Sequence, residues 1–187
     1  MTIKDITSVL TDCISETAVA RVRFTYNDYF EMLFPLSVSN DLFVSVIDRD
    51  FILDGYTVRR ISDVVEAQDI RKTYLSLHMR EGNLKKLSKP PIDITTFRSL
   101  FSSLIKMKKY VIIEGRISST GEYYFVAGAP LGVNDSALKF RSFDGAGKWS
   151  ENTVTIPYLT IESVTFDSSY ISTYSKYIKP YRETNKK

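Results

Sequence analysis

Apolar residues change their spacing along the chain twice, in the same order each time. After Asp5 they fall at Ile6, Val9, Leu10, Cys13 and Ile14. After Asp93 they fall at Ile94, Phe97, Leu100, Phe101, Leu104 and Ile105. Steps of three and four place each set on one face of a helix. Both helices follow the tripeptide "DIT", whose aspartate can accept a free backbone N–H of the first turn. Ile92 and Phe97 are placed to staple the second entry. Beyond each helix the pattern shortens. "AVARVRF" (18–24) and "YVIIEGRI" (110–117) are rich in β-branched residues and predict strands. "EMLFPLSV" (31–38) and "EYYFVAGAPLGV" (122–133) predict second strands, and both carry Pro-Leu-x-Val: Pro35, Leu36, Val38 and Pro130, Leu131, Val133. Asn40-Asp41 and Asn134-Asp135 follow, then third strands that end at Asp48 and Asp144. Glycine turns come next, with Asp54-Gly55 expected as a hairpin because both residues tolerate positive φ. Ile-x-x-Val then marks the fourth-to-fifth strand passage, at Ile61/Val64 and Ile161/Val164.

The common order of these matches predicts an internal duplication. The repeats span 1–80 and 93–187, joined by a basic linker over 81–92 in which Gly82 and Pro90-Pro91 break regular structure. Each closes on its own segment, "DIRKTYLSLHM" or "DSSYISTYSKYI", with Tyr74 matching Tyr170. The expected class is mainly β (α+β).

A short helix followed by five bent strands ending in Ile-x-x-Val resembles the Sm-like fold, a small SH3-like barrel. That resemblance implies two tandem helix-plus-five-stranded barrels. Sm-like RNA binders place a glycine beside a basic residue in the fourth-strand motif. The matching positions here are Arg59, Arg60, Ile61 and Pro157, Tyr158, Leu159; neither half has the glycine, and only the first keeps the basic residue. The histidine motif of bacterial Sm-like RNA chaperones is missing.

Composition narrows the reading. Of 187 residues 43% are apolar and 23 are Tyr or Phe, ample material for packed cores. No apolar run approaches the roughly 20 residues of a membrane span, and the N-terminus lacks the regions of a secretory signal. A single cysteine excludes an internal disulfide and fits the cytoplasm. Net charge is only +3, but residues 71–109 carry 10 basic and 2 acidic side chains.

Candidate chemistry is sparse. Cys13 lies on the apolar face of its helix, which predicts burial rather than nucleophilic use. His78, the only histidine, reads as solvated or locally bonded, and one His with one Cys cannot build a zinc site. Asp48, Asp50 and Asp54 lack the closing glutamate of a calcium loop. "GAGKWSE" lacks the spacing of a phosphate loop. Tyr170, Tyr174 and Tyr177 read as a packing stripe or an interaction surface. The expectation is a non-enzymatic binding or adaptor protein with a protein partner, no cofactor and no metal. The alternative is RNA or single-stranded nucleic-acid binding through Arg59, Arg60, Lys85, Lys86 and Lys89.

Overall fold

A computed structural model describes residues 1–179, leaving aside the side chains of 71–73. The last eight residues of the expected second repeat lie outside the described residues. The elements are α1 (Ile3–Glu16), β1 (Ala20–Phe24), β2 (Phe30–Val38), β3 (Leu42–Arg49), β4 (Ile52–Arg60), β5 (Val64–Asp69) and α2 (Arg71–Arg80), then α3 (Phe97–Lys106), β6 (Val111–Arg116), β7 (Tyr123–Val133), β8 (Ala137–Phe143), β9 (Val154–Pro157), β10 (Ile161–Phe166) and α4 (Ser169–Tyr174). Short 3-10 turns occupy Ile61–Asp63, Asn83–Lys86 and Tyr158–Thr160. The protein is therefore mainly β, and no helix among the described residues is long and apolar enough to cross a membrane.

All ten strands form one antiparallel sheet, in the order β5-β1-β2-β3-β4-β10-β6-β7-β8-β9. Two separate closed barrels were expected; the strands instead make a continuous open sheet. The reason lies in the edges. β4 and β10 would each be an open edge in a lone unit, and here they satisfy one another over Tyr56–Arg59 and Ser163–Phe166. Each half nevertheless keeps its strands together and in one order, fifth-first-second-third-fourth.

Local chemistry explains the details. α1 is capped by Thr2, three residues before the expected cap: the Thr2 hydroxyl accepts from Asp5 N at 3.2 Å and Thr2 N donates to the Asp5 carboxylate at 3.0 Å, a capping box. α3 is capped by Thr96, while Asp93 accepts from Thr95 N and closes a turn ahead of it. The two Pro-Leu pairs sit at equivalent breaks of register, between Pro35 and Ser37 in one half and Pro130 and Gly132 in the other. Proline cannot donate to a ladder, so a bulge is where a strand tolerates it. The β3–β4 hairpin turns at Asp50 and Phe51, both at positive φ, rather than at Asp54-Gly55. Gly55 lies inside β4, where a Cβ would meet Ser168 N at 2.6 Å. The Ile-x-x-Val matches are also out of step: the 3-10 turns align Ile61 with Tyr158 and Val64 with Ile161.

Ile6, Leu10 and Cys13 of α1 pack on Val22, Leu33 and Phe43. Phe97, Leu100, Phe101 and Leu104 of α3 share a second core with Val111, Leu138 and Phe166, which reaches across the junction to Leu42, Val44 and Val58. The expected linker is not loose: Leu84 and Leu87 pack with Phe34 and Val46 of the first half.

Candidate functional site

A cleft of about 1030 Å³ is lined from both halves. Its floor is a polar network. Arg59 of β4 makes a two-pronged ion pair with Glu31 of β2, at 2.9 and 2.8 Å, and its guanidinium lies 4.4 Å from the Phe24 ring centroid. It also donates to the Tyr26 hydroxyl at 3.2 Å. Tyr26 donates in turn to the Glu162 carbonyl of the second half, and Arg116 returns a bond to the Tyr26 carbonyl while pairing with the Glu162 carboxylate. Burial pushes the Tyr26 hydroxyl above the usual phenol range. Burial likewise raises Glu162, against the pull of Arg116. Glu114 accepts from Tyr123 at 2.6 Å and from Ser163 at 2.7 Å. Burial and that carboxylate hold the Tyr123 hydroxyl protonated.

The rim differs in kind. Tyr29 is 63% exposed, Tyr123 52%, Phe125 44% and Tyr170 39%. Phe125 and Tyr170 meet edge to face at 5.7 Å. Tyr29 comes from the loop before β2 and Tyr123 from the start of β7, so both halves supply ring faces to one opening. Rigid amphipathic rings around a polar floor give large contact area at small entropic cost.

The sequence-predicted positions are placed apart. Arg59 has a side chain only 7% exposed. Arg60 bonds the carbonyls of Tyr158 and Ile161, lies 3.5 Å from Asp63 and stacks over Phe97. Both guanidiniums stitch the molecule together rather than face solvent. Lys85, Lys86 and Lys89 are exposed, and Lys86 reaches Asn83 at 3.1 Å. Cys13 is fully buried on α1, as its packing position requires. Tyr174 packs on Phe143, Tyr170 lines the cleft and Tyr177 lies beyond the helix, largely exposed. Asp48, Asp50 and Asp54 all line the cleft, but no group of three possible metal ligands occurs among the described residues.

Sequence reasoning missed a second cluster. His78 is wholly buried, not solvated. Its Nε2 lies 3.0 Å from Asp48 Oδ2, and its Nδ1 lies 3.2 Å from the Asn83 amide nitrogen, which also donates to Phe51 O at 2.7 Å. The amide can only donate, so Nδ1 is the acceptor and Nε2 carries the proton given to Asp48. Burial pushes the Asp48 carboxyl up, opposed by His78. Phe51 rests on Tyr74 at 4.8 Å and on His78 at 5.2 Å, which holds its left-handed backbone in place. The three polar residues are 48, 78 and 83, too scattered for any local pattern to join them. The same holds for Glu31 and Arg59.

No protein-family model, curated protein or solved structure matches this chain.

Proposed function

We propose that this chain is a non-catalytic binding protein of the cytoplasm that holds a protein partner in the cleft between its halves. The carrying observation is the contrast between rim and floor. Four aromatic side chains stand exposed around the opening, while beneath them Glu31 and Glu162 are paired with Arg59 and Arg116 and Glu114 accepts from two hydroxyls. A floor so paired has little left to offer as acid, base or nucleophile, whereas exposed rings beside it suit a protein surface. We read the two halves as duplicated Sm-like units. The support is the shared strand order and the register breaks at the two Pro-Leu pairs.

The test is affinity capture from native extract with the wild-type chain and with Tyr29→Ala/Tyr123→Ala, each with and without nuclease. The expected result is a protein retained by wild type, resistant to nuclease and lost with the double substitution. A partner that binds both forms equally would remove the cleft from the reading.

RNA or single-stranded nucleic acid is the second reading, supported by the exposure of Lys85, Lys86 and Lys89. With Arg59 and Arg60 engaged internally, it rests on the lysines. Binding to mixed RNA oligomers, followed by fluorescence anisotropy, should then weaken with salt, and alanine at the three lysines should flatten that dependence. Absence of binding at low salt would end this reading.

A further inference from the structure

The cleft between the halves carries an unbalanced charge. Three arginines line it, and each is matched: Arg59 with Glu31, Arg116 with Glu162, and Arg49 with Asp54 at 3.2 Å. Asp48, Asp50 and Glu114 line it too, and no arginine or lysine among the described residues pairs with them. The whole chain is +3, so the cleft is a local reversal of sign. We propose that the partner segment held there is basic: one lysine or arginine of the partner seats at Glu114 against the rings of Tyr123 and Phe125, and a second basic residue lies toward Asp48 and Asp50. This inference deepens the protein-binding reading of the cleft and rests on it.

Glu114 and Phe125 are direct partners in the β6–β7 ladder, and Tyr123 lies two residues before Phe125, so all three share one face. The Tyr123 and Ser163 hydroxyls hold the two carboxylate oxygens at 2.6 and 2.7 Å. Neutral donors fix the carboxylate in place and leave its charge uncancelled. A carboxylate among exposed rings attracts a cation twice, by its own charge and through the negative faces of the rings. The chain's other rings already show the preference. Arg21 lies 3.7 Å over Phe30, Arg59 4.4 Å over Phe24, Arg60 4.7 Å over Phe97 and Arg116 5.8 Å over Tyr26. Among the described residues no such cation covers Tyr123, Phe125, Tyr29 or Tyr170, the rings left exposed at the opening.

The β3–β4 hairpin supplies the other anionic point. The Asp48 side chain is wholly buried, and the neutral His78 ring satisfies its Oδ2. Its Oδ1 has no hydrogen-bond partner. Asp50 stands exposed two residues on, at the hairpin tip. Charge without a counterion therefore sits at two separated places, which suits side chains spaced along a polypeptide. No three carboxylate or imidazole groups among the described residues gather closely enough to hold a metal ion, which leaves an organic cation.

The test uses fluorescein-labelled octalysine as the probe and the full chain, followed by anisotropy at low salt. Octalysine should bind wild type and weaken as salt rises. Glu114→Gln/Asp50→Asn keeps the hydrogen-bonding shapes, and asparagine suits the positive φ at residue 50. It should weaken binding about 10-fold, the order of two partly exposed charge pairs. Arg49→Gln removes a cation from the cleft and should tighten binding about 2-fold, a gain that a damaged fold would not produce. Octalysine that fails to bind, or that binds wild type and Glu114→Gln/Asp50→Asn alike, would overturn the proposal. Affinity capture separates this failure from that of the cleft itself. A captured protein lost by Tyr29→Ala/Tyr123→Ala but kept by Glu114→Gln/Asp50→Asn would overturn the basic segment and leave the cleft as a protein site. One kept by both variants would remove the cleft as well.

Discussion

The halves share a backbone plan and differ in what they bury. Position by position along the ladders, Glu31 and Arg59 of the first half correspond to Val126 and Ile156 of the second. Asp48 corresponds to Phe143, and Phe24 to Gly115. The first half answers with an ion pair and a buried histidine. The second answers with apolar contacts: Phe143 meets Trp149 edge to face at 5.6 Å and Tyr174 at 5.1 Å. One strand order thus accepts either chemistry, provided that each polar group arrives with its partner. Tolerance belongs to the pair and not to the residue.

The sharpest way to break that comparison is to import half of a pair. Arg59→Ile alone leaves the Glu31 carboxylate in the cleft floor without its cation, with the Asn27 amide at 2.8 Å as its remaining donor, and should cost about 3–5 kcal/mol in denaturant unfolding. Adding Glu31→Val completes the second half's pattern and should recover most of the loss, reaching wild-type stability or exceeding it by about 1–4 kcal/mol. A double variant as unstable as the single one would show that the halves are not interchangeable here.

His78→Ala should cost about 3 kcal/mol by leaving Asp48 without its donor. The counterpart experiment is Asp48→Asn, which keeps an oxygen for the histidine and removes the charge. Because burial raises the Asp48 carboxyl in the folded state, its ionised form disfavours folding. That penalty is present above the raised value and disappears as pH falls through it. Asp48→Asn should therefore gain on wild type at neutral pH, and the gap should narrow on acidification. A constant gap would mean that the shift has another source.

Gly115→Ala probes the reverse case, a small residue where the first half has Phe24. Its Cβ would lie 1.9 Å from the Thr160 carbonyl oxygen, so backbone must move, at a cost of about 3 kcal/mol. The smallest effect is at the caps. Thr2→Ala should lose about 1 kcal/mol and Thr96→Ala somewhat less, since α1 has a full capping box while Ser99 stands where Asp5 does.

Much of the plan was legible in the chain. The two amphipathic helices appear where their apolar stripes place them, each cap three residues from the expected aspartate, and the strands at 18–24 and 110–117 appear within two residues of their expected bounds, because spacing and β-branching act locally. The paired Pro-Leu motifs were visible too, though only register shows that they make bulges. What escaped depends on distant chain. Gly55 reads as a hairpin glycine, yet its backbone is set by Ser168, more than 100 residues away. Asp5 and Asp93 read as caps because the competing Thr2 and Thr96 are equally good acceptors. Arg59 and Arg60 read as free cations, since nothing near them in sequence announces Glu31 or the carbonyls of Tyr158 and Ile161. The cleft rim draws Tyr29 and Tyr123 from different halves, and no single repeat contains it.

The placement of β10 also bears on how the molecule is made. Among the described residues it is the strand made last, and it sits sixth of ten in the sheet. Through translation of the roughly 100 residues that separate Arg60 from its carbonyl partners, the completed first half carries β4 with no neighbour on its outer side. At about 5–20 residues per second that interval lasts on the order of 5–20 s. Polysomes bring nascent copies close together, and two such edges could meet before β10 arrives. Chains terminated before residue 161 keep that edge permanently and should accumulate as insoluble protein, whereas chains ending just after α4 should not.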